Sequence, residues 1–179
     1  ASDNHLSTGF LGAPLLAPVL QSMGRSDLMF DILFKETYPS WFYSINNSAT
    51  TTWERWDSYS LKDGFTAESM NSLNHYAYGA VAKWFYEGIL GITAASAGFK
   101  EISIAPQFNP RLGHASGSYK TPQGEIKVSW ELDQGEFNMQ VTIPKNSIAK
   151  LILPEVSLLT MNGEKVSSGK LSNKNQMSN

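Results

Sequence analysis

Residues 73–105 read Leu73-Asn-His-Tyr-Ala-Tyr-Gly-Ala-Val-Ala-Lys-Trp-Phe-Tyr-Glu-Gly-Ile-Leu-Gly-Ile-Thr-Ala-Ala-Ser-Ala-Gly-Phe-Lys-Glu-Ile-Ser-Ile-Ala105, and this stretch contains a change from one kind of structure to another. Up to Ile89, apolar residues recur every three or four positions, which is typical of a helix with one buried face. The spacing predicts a helix over residues 71–89. Beyond Gly91 short runs of alternating residues take over, which is typical of strands.

The residues before this helix are also predicted to be largely helical. Apolar side chains recur at helical spacing from Thr8 to Met23, and Gly24 is a suitable residue to end that helix. A second helix is expected to begin at a cap formed by Ser26 or Asp27 and to stop before Pro39. Residues 40–45 are rich in aromatics and are predicted to form a short strand or extended segment. Residues 46–70 are predicted to be irregular, and loops of that length are usually functional.

The second half is predicted to be a sheet domain. Six short alternating runs are separated by prolines and turn residues, and Asp133-Gln-Gly135 is a strong hairpin signal. The predicted fold class is therefore α+β in two parts. Helices occupy residues 1–95, and an antiparallel β-sandwich occupies residues 96–179.

Composition excludes several classes of function. Among 179 residues, 14 are basic and 16 acidic, so the formal net charge of −2 gives no reason to expect a nucleic-acid partner. Cysteine is absent, which excludes disulfides and thiolate metal sites. No apolar run is long enough to predict a membrane span. No metal-ligand spacing, phosphate-binding glycine loop or Gly-x-Ser-x-Gly motif occurs, so no cofactor is predicted. The chain starts at Ala1 without a leader pattern, and we expect it to be a piece of a longer protein.

The strongest candidate for chemistry is Glu54, in the segment Thr50-Thr-Thr-Trp-Glu-Arg-Trp-Asp57. It lies between Trp53 and Trp56, and aromatic rings pack well against the C–H faces of sugars while a carboxylate can activate water. The pattern predicts a sugar-hydrolysing site. In an extended segment, Glu54 and Trp56 would point to one side. The alternative is that Glu54 merely pairs with Arg55 or caps a turn. Asp57 is a candidate second carboxylate, but a surface or capping role suits it better.

His75 is the second candidate, because the predicted helix places it near its first turn and facing the same region as Glu54. A single histidine is more often structural, and that alternative stays open. His5 and His114 are weaker candidates.

Several segments together resemble the C-terminal part of bacterial α-L-rhamnosidases. The resemblance extends to about residue 165 in one order. Its segments are His5-Leu-Ser-Thr-Gly-Phe-Leu-Gly12, Glu36-Thr-Tyr-Pro-Ser-Trp41, Ala49-Thr-Thr-Thr-Trp-Glu-Arg-Trp56, Met70-Asn-Ser-Leu-Asn-His-Tyr-Ala-Tyr-Gly79, Ile104-Ala-Pro-Gln107, Leu112-Gly-His-Ala-Ser116 and Gly124-Glu-Ile-Lys-Val-Ser-Trp130.

The resemblance implies that the first half is the last helical hairpins of an (α/α)6 toroid and that the second half is the C-terminal β-sandwich. It also implies hydrolysis of terminal α-L-rhamnose from a glycoside or polysaccharide with inversion. Glu54 would be the general base, His75 would contact the sugar, and Trp53 and Trp56 belong to the same binding motif. The family's general acid lies in an acidic motif for which this sequence has no counterpart. The chain alone is therefore expected to be inactive, and its partner would be the missing N-terminal portion.

Two other readings remain open. One is a carbohydrate-binding or structural β-sandwich module with a helical adaptor, which would use surface aromatics such as Tyr119 and Trp130, although tryptophans on strands are more often core. The other keeps the helical toroid but assigns a lyase reaction, which fold alone does not exclude. The kind of substrate suggests a periplasmic or extracellular location in a bacterium.

Overall fold

A computed structural model describes residues 5–66 and 69–153, together with Asp3 and the short segments 159–161 and 164–166. The chain divides into two compact units, Ala1–Trp84 and Phe85–Asn179. The boundary near residue 95 that the pattern indicates remains a prediction.

The first unit begins with a pair of helices, α1 (Ala13–Ser22) and α2 (Ser26–Leu33). Between them Gly24 has a φ of 70°, and the N–H of Arg25 reaches back to the carbonyl of Leu20 at 2.8 Å. Glycine adopts this left-handed conformation at little cost, which confirms the predicted helix end. The predicted cap at Ser26 or Asp27 is wrong, because the cap position is Arg25 and no side chain caps the helix there.

A third helix, α3 (Trp41–Asn46), replaces the strand predicted for residues 40–45. The Ser40 hydroxyl accepts a hydrogen bond from the N–H of Tyr43 at 3.0 Å and so satisfies a donor that the first turn leaves without a partner. The aromatic side chains of this segment serve tertiary packing and do not indicate a strand. The Trp41 ring, for example, meets the Trp56 ring edge to face at 5.3 Å. The local content of aromatic residues therefore predicted the wrong secondary structure. Ser40, as a residue that can cap a helix, was the better indication of α3.

We expect Ser40→Ala to lower the free energy of unfolding by about 1 kcal/mol, because the substitution removes this cap. Ser40 is fully buried, so water cannot replace the lost acceptor. Urea unfolding monitored by circular dichroism measures the change. Ser7→Ala removes an exposed hydroxyl and is expected to change stability by less than about 0.5 kcal/mol. Equal effects for the two variants would contradict the capping role.

Residues 47–77 are largely irregular, apart from a small hairpin of β1 (Tyr59–Ser60) and β2 (Gly64–Phe65), whereas an irregular stretch was predicted for residues 46–70 alone. The helix predicted over residues 71–89 begins late. Tyr78–Ala80 form a 3-10 turn, α4 (Val81–Trp84) follows, and Phe85–Ile89 form a π-helical turn. Residues 72–75 cannot join this helix because their backbone groups bond elsewhere: the carbonyl of Ser72 accepts from the N–H of Glu54, and the N–H of His75 donates to the carbonyl of Thr52.

The core of the first unit is built where α1, α2 and α4 meet. Phe30 and Trp84 are buried and contact edge to face at 5.1 Å, while the Trp84 indole N–H donates to Gln21 Oε1 at 2.8 Å. A second cluster contains Leu6, Ala13, Trp56 and Tyr78. This second cluster supports the segment that carries Glu54.

The second unit contains two three-stranded sheets. One has the order β3 (Ile92–Ala94), β4 (Glu101–Ile104) and β8 (Ile148–Leu151). The other is an antiparallel meander of β5 (His114–Thr121), β6 (Gly124–Asp133) and β7 (Glu136–Thr142). The remaining described strands, β9 (Leu159–Met161) and β10 (Glu164–Val166), pair with each other.

The hairpin predicted at Asp133-Gln-Gly135 is confirmed, since Asp133 pairs with Glu136 and both Gln134 and Gly135 have positive φ. The prediction of a wholly antiparallel sheet domain is wrong, because β4 and β8 run parallel. A parallel pair needs a long connection, and the meander β5–β7 provides it. Alternating burial along the strands gives the unit its apolar core, which includes Ile102, Ile104, Ile126, Val128 and Trp130.

Candidate active site

Glu54 lies in a turn between two buried tryptophans. Trp53 and Trp56 are 7% and 8% exposed, whereas Glu54 is partly exposed. The segment is not extended, because the hydroxyl of Ser58 both accepts from the N–H of Arg55 and donates to its carbonyl. The predicted alternation of sides is therefore wrong. A turn lets both indoles point into the core while the carboxylate between them reaches the surface.

A backbone N–H holds the carboxylate of Glu54. Its Oε2 accepts a hydrogen bond from the N–H of Ser72 at 2.8 Å, and the N–H of Glu54 donates to the carbonyl of Ser72 at the same distance. Bonds from N–H donors to a carboxylate are among the stronger hydrogen bonds in proteins. One oxygen of Glu54 is thus fixed in position, which orients the other.

His75 lies on the segment that holds Glu54. Its N–H donates to the carbonyl of Thr52 at 2.7 Å, so residues 51–54 and 72–75 run past each other in opposite directions. The hydroxyl of Thr51, which donates to the carbonyl of Leu73, adds to this pairing. The two predicted site residues are therefore carried by adjacent segments. The sequence had indicated that His75 lies near the first turn of the helix. In the structure it stands before the helix begins.

The tautomer of the neutral His75 ring follows from its local hydrogen bond. Its Nδ1 accepts from the N–H of Ala77 at 3.3 Å, and this long hydrogen bond favours the tautomer that carries its proton on Nε2. In that tautomer Nε2 can act as a donor. The ring also stacks against Phe10 at 4.6 Å and against Tyr76 at 5.4 Å.

The tryptophans next to Glu54 pack against other rings. The centroid of Trp56 lies 3.9 Å from that of Tyr78, and Trp53 meets Tyr59 edge to face at 6.4 Å. Burial raises the pKa of the Tyr78 phenol, so this ring stays neutral throughout the ordinary pH range. A direct contact between either indole and a sugar remains a prediction. In the structure both indoles are buried and pack against other rings next to the turn that carries Glu54.

Asp57 pairs with its neighbour Arg55, with a distance of 3.4 Å between Oδ1 and Nε. This fits the surface role preferred for it. Within the part of the chain that the structure describes, no cluster of three or more histidines or carboxylates could hold a metal ion.

Sequence reasoning missed Ser72 and Phe10. Ser72 acts through its backbone, which no side-chain pattern reveals. Phe10 stands far from His75 in the sequence, so no local pattern linked the two residues.

The sheet of β5, β6 and β7 carries a groove of ≈ 540 Å³, lined by three residues from each strand, among them His114, Glu131 and Asn138.

Of the two aromatic residues suggested for a binding module, only one is exposed at the surface. Trp130 is 2% exposed and its indole N–H donates to the carbonyl of Ile89 at 2.8 Å, so it is a core residue, as strand tryptophans more often are, and does not offer a surface ring to the binding-module alternative. Tyr119 is 40% exposed and contacts Phe99.

Residues 1–89 match the family described as bacterial alpha-L-rhamnosidase 6 hairpin glycosidase domain, and residues 91–168 match the bacterial alpha-L-rhamnosidase C-terminal domain. The chain belongs to the bacterial alpha-L-rhamnosidase family. An alpha-L-rhamnosidase of Alteromonas sp. (strain LOR) is 59% identical over 154 residues, which are 86% of this chain and 17% of that protein. The chain thus spans about a sixth of the length of this relative.

Solved rhamnosidase structures share the fold. The alpha-L-rhamnosidase of Streptomyces avermitilis, complexed with L-rhamnose, is 40% identical with a TM-score of 0.79, and the match covers 83% of this chain and 14% of that one. The alpha-L-rhamnosidase from Dictyoglumus thermophilum is 30% identical with a TM-score of 0.85, over 94% of this chain and 19% of that one. The resemblance seen in the motifs is thereby confirmed: a helical hairpin domain precedes a β-sheet domain that matches rhamnosidase C-terminal structures. In the described residues, no helix is both long and apolar enough to cross a membrane.

Proposed function

We propose that this chain supplies the general base and a sugar-binding histidine of an α-L-rhamnosidase that releases terminal α-L-rhamnose with inversion. The observation that carries the proposal is the fixed carboxylate of Glu54. It stands in a turn between buried indoles, and a hydrogen bond from Ser72 to one oxygen orients the other. A carboxylate held in this way is suited to take a proton from a water molecule that attacks the anomeric carbon.

Inversion requires a second carboxyl group. Inverting glycosidases place their general acid about 6.5–9.5 Å from the base, which leaves room for the water. Asp57 is a poor choice for the acid because it pairs with Arg55 at 3.4 Å. We therefore place the general acid outside this sequence, in the part of the protein that the relatives have in addition. The isolated chain would then bind an α-L-rhamnoside weakly and hydrolyse it negligibly. A glycoside or polysaccharide substrate implies a periplasmic or extracellular location.

The exposed side of α1 supports the idea that more of the protein packs here. Leu15 and Val19 lie four residues apart on α1 and are at least 50% exposed, and so are Leu11, just before the helix, and Met23, at its C-terminal cap. Side chains at this interval form a single stripe along a helix. Since this chain spans only 17% of a relative's length, we propose that a helix of the remaining protein covers the stripe, as adjacent hairpins of an (α/α)6 toroid would. The two sheets would then form the C-terminal sandwich beyond the toroid.

Substituting Leu15→Asp and Val19→Asp together is expected to act differently in the two contexts. In the full-length protein the two carboxylates would be buried, which costs free energy. Hydrogen exchange of the α1 amides should therefore become faster, and the melting temperature should fall. In the 179-residue chain the same positions are exposed, so the free energy of unfolding should change by less than about 0.5 kcal/mol. Equal effects in both contexts would contradict the proposal, as would a dimer of the short chain that the substitutions dissociate.

The binding-module alternative has one observation in its favour, the groove on the β5–β7 sheet, whose strand β5 also carries the exposed Tyr119. The burial of Trp130 counts against it. A lyase would need a base poised to remove a carbon-bound proton from a uronate, and the near-neutral chain gives that reading no support.

The test is hydrolysis of a chromogenic α-L-rhamnoside by the full-length protein and by this chain, with the first-formed sugar anomer followed by NMR. The proposal predicts an active full-length protein, β-L-rhamnose as the first product and an inert chain. α-L-Rhamnose as the first product would exclude inversion. Sugar binding without hydrolysis by the full-length protein would favour the binding module.

A further inference from the structure

Phe10 connects the helical core to the candidate site. It lies in the turn that leads into α1, where the N–H groups of Gly12 and Ala13 donate to the carbonyl of Gly9. Its ring stacks on the imidazole of His75, with centroids 4.6 Å apart and planes inclined by 24°. It also meets the ring of Tyr78 edge to face at 5.3 Å. The proposed function assigns Phe10 no part.

We propose that Phe10 is a positioning residue that fixes the plane of His75, so that the Nε2–H of His75 points at a hydroxyl of the bound sugar. The inference rests on the proposed role of His75 as a sugar contact. Phe10 would act through the imidazole and need not touch the sugar.

The orientation of the His75 imidazole depends on the groups around it. A histidine side chain has two rotatable bonds, and the hydrogen bond from Ala77 to Nδ1 is long at 3.3 Å. Tyr76, the other ring stacked on His75, is 86% exposed and so gives a mobile support. Phe10, which is 40% exposed and contacts the buried Tyr78 ring, is the better anchored of the two rings. Offset stacking between aromatic rings is favourable and directional, so it restricts rotation of the imidazole.

The anchor of Phe10 continues into the core. Tyr78 is buried, and its ring packs on Trp56, which stands two residues from Glu54. Phe10, Tyr78 and Trp56 therefore form a continuous set of rings between His75 and the turn that carries Glu54. A change at Phe10 is expected to loosen His75 first, because the Tyr78 and Trp56 rings keep their own contact at 3.9 Å.

Phe10→Leu in the full-length protein tests the idea. It keeps apolar bulk but removes the stacking ring, so KM for a chromogenic α-L-rhamnoside should rise about three- to tenfold while kcat changes less than about twofold, the size expected from losing one aromatic pair. Phe10→Tyr keeps the ring and should restore the original KM. The matched control is Phe42→Leu, which also removes a stacked ring of the first unit, one that faces Phe34 at 6.3 Å, and should leave KM unchanged.

A double-mutant cycle separates positioning from direct contact. If Phe10 acts through His75, Phe10→Leu should have less than about a 1.5-fold further effect on KM once His75→Ala is present. The same three- to tenfold rise in both backgrounds would overturn the inference, as would a failure of Phe10→Tyr to restore KM. If His75→Ala alone leaves KM unchanged, the sugar contact in the proposed function fails as well. If His75→Ala raises KM but Phe10→Leu does not, only the positioning role is overturned.

Discussion

Replacing Glu54 by glutamine in the full-length protein is expected to lower kcat/KM for an α-L-rhamnoside about 10²- to 10⁴-fold, the usual contribution of a general base. Glutamine keeps the size of the side chain, and its amide oxygen can still accept the hydrogen bond from the N–H of Ser72. It cannot take a proton from water at neutral pH. The loss should therefore appear mainly in kcat. Steady-state kinetics measures it, and circular dichroism checks that the fold is intact.

The matched control for Glu54→Gln is Asp57→Asn, which makes the same chemical change three residues away. Asp57 pairs with Arg55, so we expect this variant to keep kcat/KM within about twofold. An active Glu54→Gln enzyme would show that the carboxylate is structural. Equal losses in the two variants would show that the turn as a whole, and not the base, is required.

Gly91→Ala should be the most damaging small substitution in the sheet unit. Gly91 has a φ of 73°, and a Cβ there would lie 2.3 Å from the carbonyl carbon of Ala105 and from the nitrogen of Pro106. Both are backbone atoms that no rotamer change can move. The left-handed conformation costs about 1 kcal/mol for alanine, and the displaced backbone adds more, so we expect a loss of about 3 kcal/mol in the free energy of unfolding.

Gly113→Ala isolates the conformational part of this cost. Gly113 has the same φ of 73°, but a Cβ there meets no atom within 4 Å. We expect a loss of about 1 kcal/mol for this variant. Urea denaturation of both variants gives the comparison. Similar losses would mean that the close approach of Gly91 to residues 105–106 contributes nothing to stability.

The end of α1 and the hairpin loop at residues 133–136 were predictable because each depends on a few neighbouring residues. Gly24 ends α1 through its left-handed conformation, and Gln134-Gly135 forms the hairpin loop with two positive φ values. The late start of the helix at Tyr78 was not predictable from periodicity. Apolar spacing continues back to Leu73, but residues 72–75 hydrogen-bond to residues 52–54 instead. The parallel pairing of β4 with β8 was missed for a similar reason, because register between distant strands leaves no local signature.

The sequence by itself determined the family, the order of helices before sheets, and the two candidate residues Glu54 and His75, because motifs and periodicity are local in the chain. Tertiary structure alone decided how those residues are held. The N–H that orients Glu54 comes from Ser72, 18 positions away, and the ring on His75 comes from Phe10, before the first helix. A hydrogen bond or a stacked pair depends on where two distant segments meet in space. That meeting is set by packing of the whole unit, which no short stretch of sequence specifies.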